Sequence, residues 1–334
     1  MLKADFIYEA PDTVESAFNF ILTRENAAFL AGGTDLIPLI KYGVKRPSYL
    51  IDLRRISTLK SITLREKDLF IGSMVTVADL ARDPLVNRTI PVLGESARSI
   101  ASPQIRNCAT LGGNLFQERR CLYFNQSAFW RQNISPCFKL GGIVCHQIPS
   151  SKGCRAIYYS DTAPVLLSFD AEAEFYTQNG FQIAPLRDLI RHYGVQGEER
   201  FLLTGILIPH PQKGTQGKFL KWGLRRSIDF PALNAAIRVS PSAAEESKDP
   251  SIKIVVGALG PEPISLEETT AFLVSNFARL PSVIKETKEF GLRELAAKGS
   301  LIRETGLSLK SKGNLLPLIF RTLDELLGLT QSTE

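Results

Sequence analysis

The stretch AAFLAGGTDLIPLIKYG, residues 27–43, constrains the fold more than any other. An apolar run from Ala28 to Ala31 meets two glycines, and a helix-patterned segment starts at Thr34 or Asp35. A chain leaving a buried strand through so tight a turn into a helix belongs to an architecture that mixes the two element types. Residues 1–53 repeat the theme as strand, helix, strand, helix, strand, ending on YLIDL at 49–53.

The pattern continues beyond that segment. DLFIGSMVTVADLARDP predicts a strand, a turn and a helix with Asp79 in its first turn. VLGESARSIA predicts a helix with Val92, Leu93, Ala97 and Ile100 on its apolar side, and TLGGN follows it as a second Gly-Gly turn. DTAPVLLSFDAEAEFYT reads as a helix running into a strand. From residue 214 onward, FLKWGLRRSIDFPALNAAIRVS and IKIVVGALGPEPISL supply strands, with PSAAEESKDPS at 241–251 as a polar loop. Ser265 and Glu268 suggest a capping box. Two helical segments, PSVIKETKEFGLRELAAK and NLLPLIFRTLDELLGL, close the chain. At 334 residues the chain is too long for one core. The expected units are 1–54, 55–213 and 214–330, the second including a long segment at 117–158.

Each Gly-Gly turn offers a way to hold a phosphate. Gly32 and Gly33 let backbone N–H groups approach an anion, and the Thr34 hydroxyl adds a donor. Gly112 and Gly113 offer the same, flanked by Thr110 and Asn114. One such turn is commonly a bare turn; two, each with threonine and a second polar residue, suit a long diphosphate ligand. Neither matches GxGxxG, so this is not a dinucleotide fingerprint of the Rossmann kind.

The segment 117–158 holds four of the five cysteines, Cys121, Cys137, Cys145 and Cys154, spaced C-x15-C-x7-C-x8-C. The CxxC knuckle of zinc ribbons is absent, as is the compact CxxCxxC of bacterial ferredoxins. Spacing alone leaves an iron–sulfur cluster, zinc and reduced structural thiols equally open. Gly141, Gly142 and Gly153 give freedom near the thiols. Arg119, Arg120, Lys139 and Lys152 can offset thiolate charge, and Tyr123, Phe124, Phe129, Trp130 and Phe138 can exclude water. His146 is a possible substitute ligand, and Cys108 is expected to fill a small buried space.

The N-terminus shows no secretory h-region, and no run approaches the ~18 apolar residues of a membrane span. A cytoplasmic protein is therefore expected, where clustered cysteines more often bind metal than form disulfides. The net charge of +6 is scattered in short pairs, which argues against a nucleic-acid stripe. A basic face of this kind can still dock an acidic electron carrier.

Taken in order, AGGTDLIPLIKYG, LFIGSMVTVADLARDP, IASPQIRNCATLGGNL, SDTAPVLLSFDAEAEF and FLKWGLRRSIDFPALNAAI resemble the FAD-binding medium subunit of the molybdenum hydroxylase (xanthine dehydrogenase) family, over roughly residues 3–275. Against most of that family the segment 117–158 is an insertion, and it resembles that of the flavoprotein subunits of 4-hydroxybenzoyl-CoA reductases, which carry an extra 4Fe-4S cluster. The resemblance implies an α+β fold: a two-part FAD-binding region of the PCMH type, as in the carbon monoxide dehydrogenase flavoprotein, followed by a C-terminal α/β sandwich. It implies FAD held by Ala31, Gly32, Gly33, Thr34, Asp35, Leu36 and Ile37, by Thr110, Gly112, Gly113 and Asn114, and by Ile100, Asp161, Leu203 and Lys221. It implies a 4Fe-4S cluster on Cys121, Cys137, Cys145 and Cys154, and no catalytic residue in this chain.

As expectations, the partners are a large molybdenum-cofactor subunit and a small 2Fe-2S subunit in a dimer of heterotrimers. Ferredoxin is the implied electron donor, with reductive dehydroxylation of an aromatic acyl-CoA on the large partner. An NAD-linked molybdenum hydroxylase is the alternative. Gly205 stands where many relatives carry a larger residue, with a possible effect on access to the flavin.

Overall fold

The computed structural model describes residues 5–192, 200–225, 228–242, 250–298 and 309–327. Three sheets succeed one another along the chain, and each takes its form from the connections available to its strands.

The first sheet is parallel. Strand β1 (Ile7–Glu9), helix α1 (Val14–Thr23), β2 (Ala27–Leu30), α2 (Leu36–Lys41) and β3 (Tyr49–Asp52) follow in sequence, with β3 placed centrally in the order β1-β3-β2. Parallel pairing demands a crossover between strands, and the two helices supply it. Thr13 caps α1 by accepting the Ser16 N–H at 3.1 Å. The amphipathic face Val14, Ala17, Phe18 and Ile21 packs with Ile51, Leu53 and Met74. The expected strand–helix alternation is present here, and the three elements given a place, β2, α2 and β3, start or end within two residues of it.

The second sheet is antiparallel, in the order β4-β5-β8-β6-β7. Strands β4 (Ile62–Leu64) and β5 (Asp68–Gly72) lead into a run of short helices. These are α3 (Val77–Arg82), α4 (Pro84–Thr89), α5 (Pro91–Arg98), α6 (Pro103–Arg106) and α7 (Leu111–Leu115). Thr76 caps α3 by accepting the Asp79 N–H at 3.0 Å, and its hydroxyl donates to the Asp79 carboxylate at 2.6 Å. The insertion contains α8 (Ala128–Arg131), after which α9 (Thr162–Ser168), β6 (Glu172–Thr177), β7 (Gly180–Pro185), α10 (Leu186–His192) and β8 (Leu202–Pro209) complete the unit. Leu69, Ile71, Ile206 and Ile208 share one buried cluster with Leu93 and Ala97 of α5 and with Val165 and Leu166 of α9.

The third sheet, in the order β12-β11-β10-β9, is antiparallel: β9 (Gln216–Trp222), β10 (Leu233–Ser240), β11 (Ser251–Gly257) and β12 (Ile264–Ser265). Ala235 and Ile237 of β10 face a cluster with Leu295, Ile319, Phe320 and Leu323, whereas the alternate Ala236 packs toward α9 in the cluster of the second sheet. Helices α11 (Glu267–Ser275), α12 (Leu280–Lys298) and α13 (Leu309–Leu326) cover the outer face.

Local expectations change in three places. Ser265 lies in β12 and caps nothing; Glu294 of α12 caps α11 instead, accepting the N–H groups of Glu268 at 3.2 Å and Thr269 at 2.8 Å. The second Gly-Gly is no open turn, because Thr110 caps α7 and Gly112 and Gly113 form its first turn. Of the expected polar loop at 241–251, residues 243–249 lie outside the described residues.

The insertion leaves and rejoins this scaffold at one point. Arg120 and Ile157 exchange two backbone hydrogen bonds of 2.8 Å, a lone antiparallel bridge closing residues 121–156 into a loop.

Candidate functional site

A cavity of about 460 Å³ opens between the first and second sheets. Ala31, Gly32, Gly33, Thr34, Asp35 and Leu36 line it from the β2–α2 connection, Thr110, Gly112 and Gly113 from the head of α7, and Leu203 from β8. Glycine is required at 32, where a Cβ would stand 1.9 Å from the Cys108 carbonyl oxygen, and at 33, where φ is +72°. Ile37 backs this wall without lining it, its Cγ1 lying 3.1 Å from where a Gly33 Cβ would be.

The opposite wall works differently from the expectation. The Gly112 N–H donates to Ser73 O at 2.8 Å, and the Gly113 N–H donates to Thr110 Oγ1 at 3.1 Å. Both amides are already bonded within the protein, so the hydroxyl of Thr110 is left to offer a proton from this side. The side chain of Asn114 turns away from the cavity: its Oδ1 accepts from Ser160 Oγ and Thr162 Oγ1, each at 2.7 Å. It fastens α7 to α9.

Asp161, Lys221 and Ile100 form a separate buried group. Lys221 Nζ lies 2.6 Å from Asp161 Oδ2 and donates to Ser99 O at 2.9 Å, beside Ile100. Asn234 Nδ2 donates to Asp161 Oδ1 at 2.8 Å. Burial pushes the Asp161 carboxyl up, while Lys221 and Asn234 pull the other way. Asp161 does not cap α9 with its side chain; Ser160 Oγ accepts the Ala163 N–H at 3.1 Å. Gly205 lies in β8 against Phe70, whose ring carbon is 2.3 Å from where a Cβ would be, and it does not line the cavity.

Cys121, Cys137, Cys145 and Cys154 border one cleft with Phe124, Lys139, His146 and Arg155. The loop folds back through a bridge between Cys137 and Val144, with Gly141 at φ +81°. Gly142 permits the turn, since a Cβ there would stand 1.7 Å from Pro136 O. Burial pushes the Cys154 thiol up, opposed by the Ala156 N–H at 3.5 Å and by Lys139. Among the described residues no three His, Cys, Asp or Glu side chains are arranged to hold a metal ion.

The donor set, four thiols with cations beside them, suits an iron–sulfur cluster. The Nε of Arg155 is buried in that lining without a partner; the Nε atoms of Arg119 and Arg120, outside the lining, are buried without one too. The free room, about 10 Å³, holds roughly one water, so a cluster needs the loop to spread. Gly141 and Gly153, each with nothing within 4 Å of where a Cβ would be, are where it can yield.

Several supporting roles differ from expectation. Cys108 is exposed, because the turn after α6 carries it outward rather than into a core. Phe129 and Trp130 are exposed too, at 79% and 39%, leaving Phe124 as the buried aromatic of the cleft. Lys152 points to solvent. Arg119 donates to Ile190 O at 2.8 Å, and His146 Nε2 is engaged with Ser135 O at 2.8 Å.

The two clefts have no lining residue in common but are tied together by ion pairs. Asp35, in the Gly-Gly loop, accepts the Glu118 N–H at 2.9 Å and the Arg120 guanidinium at 2.9 Å. Glu118 borders the larger cavity and pairs with Lys45 at 2.7 Å and with Lys139 of the cysteine cleft. Burial would raise the Glu118 carboxyl, but Lys139 and Lys45 overcome it and hold the pKa at about 2. Glu118 was legible as the sole acid of the insertion, residues 117–158. Lys45 and Arg155 carried no such mark.

The family described as FAD binding domain in molybdopterin dehydrogenase matches residues 4–211. The aldehyde oxidoreductase FAD-binding subunit PaoB of Escherichia coli (strain K12) is 31% identical over 279 residues, covering 80% of this chain and 86% of that one. The nicotine 6-hydroxylase medium subunit of Paenarthrobacter nicotinovorans is 35% identical over 253 residues, 75% of this chain and 73% of that one. Carbon monoxide dehydrogenase from Hydrogenophaga pseudoflava superposes with a TM-score of 0.75 at 22% identity, covering 99% of this chain and 100% of the other. The architecture is thus the α+β arrangement of a two-part FAD-binding region followed by a C-terminal α/β sandwich. The chain belongs to the FAD-binding subunits of the molybdenum hydroxylase family, and is an oxidoreductase subunit whose cofactor is FAD.

Proposed function

We propose that this chain is the electron-relay subunit of a 4-hydroxybenzoyl-CoA reductase-like molybdenum enzyme, bearing FAD and a 4Fe-4S cluster. The observation that carries the reading is the convergence of Cys121, Cys137, Cys145 and Cys154 on one cleft, tied to the dinucleotide cavity by the Glu118–Lys139 pair. FAD exchanges two electrons and an iron–sulfur cluster one, so a chain holding both can join single electrons into pairs.

Within that reading, the residues Ala31–Ile37 and Thr110–Asn114 build the loops that grip FAD, with Leu203 against it. The Asp161–Lys221 pair, with Ile100 beside it, fixes the third sheet against the FAD-binding region. Lys139 and Arg155 offset thiolate charge, and Phe124 keeps water from the thiols. The three sheets fall within 1–54, 55–213 and 214–330, which we take as the units of the chain. The partners are a large molybdenum-cofactor subunit and a small 2Fe-2S subunit in a dimer of heterotrimers, with ferredoxin as donor, in the cytoplasm. No described helix is long and apolar enough to cross a membrane.

The test is the iron, acid-labile sulfide, zinc and flavin content of anaerobically purified protein, with low-temperature EPR after dithionite reduction. Iron and sulfide in equal amounts with a reduced-cluster signal support the reading; zinc, or flavin with no metal, overturns the cluster. A second reading, an FAD subunit of an NAD-linked hydroxylase, draws on the relatives named for aldehyde and nicotine oxidation. Flavin reduction by NADH rather than by reduced ferredoxin would select it.

A further inference from the structure

A set of charged side chains links the two clefts, and its members come from both sides. From the dinucleotide side come Asp35, in the Gly-Gly loop, and Lys45, just beyond α2. From the cysteine side come Arg120, next to Cys121, and Lys139, two residues from Cys137. Glu118 stands between them, its side chain only 14% exposed.

The N–H and both carboxylate oxygens of Glu118 are committed across this boundary. The N–H donates to Asp35 Oδ2 at 2.9 Å, Oε2 pairs with Lys45 at 2.7 Å, and Oε1 receives Lys139. Lys139 also donates to Arg119 O at 3.0 Å and lies 4.3 Å from the centre of the Phe124 ring, so it is fixed on the cysteine side. Asp35 is held likewise, its second oxygen taken by Arg120 at 2.9 Å.

Such a network has few alternative arrangements. Moving Lys139 out of register leaves a half-buried carboxylate with one partner fewer, and moving the Gly-Gly loop breaks Asp35 from both Glu118 and Arg120. Ordering one cleft therefore orders the other.

We infer that Glu118 is a positioning residue that couples the dinucleotide cavity to the cysteine cleft: FAD bound at Ala31–Leu36 holds the four thiols in place, and occupancy of the thiols tightens FAD by the same factor. The reciprocity is a thermodynamic requirement once the two sites share a free energy. The inference rests on FAD as the ligand of the larger cavity; it does not require that the cysteines hold iron.

The experiment is the rate of thiol modification by an aromatic disulfide reagent on full-length, metal-free, deflavinated protein, with and without added FAD. Cys108, exposed and outside the cleft, is the internal reference. In the native sequence, FAD is expected to slow modification of the four cleft thiols about 10-fold relative to Cys108. In Glu118→Gln that protection is expected to shrink below about 3-fold, whatever the variant's own FAD affinity, since the reaction is read at saturating FAD. Lys45→Gln cuts the strap from the other side and serves if the first variant does not fold. Unchanged thiol rates on adding FAD to the native protein overturn the coupling, as does full protection persisting in both variants. Failure of the native protein to bind FAD in a flavin-fluorescence titration would instead overturn the assignment of the cavity. The iron content of the untreated protein answers the separate question of what the thiols hold.

Discussion

Lys221 on β9 reaches from the third sheet to Asp161 at the head of α9, with 2.6 Å between Nζ and Oδ2 and both side chains almost fully covered. The pair spans the junction between the FAD-binding region and the C-terminal sheet. Removing one partner strands the other charge in a buried place, which costs on the order of 3–5 kcal/mol. Lys221→Met is thus expected to lower the denaturant midpoint markedly. Lys221→Met combined with Asp161→Asn should recover a good part of the loss, and equilibrium unfolding of the three proteins checks both.

Glu118 makes stability depend on acid. Its folded pKa, about 2, lies below the ordinary value of 4.5, so its contribution is fully present above about 4.5 and is lost as pH falls toward 2. At neutral pH, Glu118→Gln should cost up to about 3 kcal/mol. The gap between variant and native protein should narrow between those two pH values and close below them. Thermal melts across that range read the sign directly.

Two glycines in the cysteine loop differ sharply in what surrounds them. A methyl at Gly142 would meet Pro136 O at 1.7 Å, whereas one at Gly153 would meet nothing within 4 Å. Gly142→Ala should displace the Cys137–Val144 bridge and lose most bound iron; Gly153→Ala should retain it. Metal analysis of the two purified proteins distinguishes a loop shaped for its contents from one that is merely flexible.

The fifth cysteine should behave unlike the other four. Cys108 is exposed, so one thiol is expected to react quickly in the native protein. Cys108→Ser should leave iron and sulfide content unchanged, while serine at Cys121, Cys137, Cys145 or Cys154 should lower both.

Much of the first sheet could be read from the chain, because its periodicity and its Gly-Gly turn are local signals. Ala31–Leu36 duly line the cavity. What escaped depended on contacts far apart in sequence. Ser265 and Glu268 had the spacing of a capping box, but Glu294, from a helix beyond, reached the same N–H groups. Gly112 and Gly113 looked like a phosphate cradle until Ser73 and Thr110 took their amides. The burial of Lys221 and the exposure of Cys108 follow from packing that no spacing rule encodes.

The bridge between Arg120 and Ile157 has a consequence for how such a chain can arise. Residues 121–156 depart from the scaffold and return to it at neighbouring positions, so the host strands keep their register whether that segment is long or short. Closing a loop costs only about 0.6 kcal/mol more for each doubling of its length. The segment can be gained or discarded as a cassette, with little disturbance to the parent fold. A piece of that size owns too little apolar interior to hold its own shape, so its order leans on the ionic ties at its neck and, on the proposed reading, on the cluster its cysteines would hold.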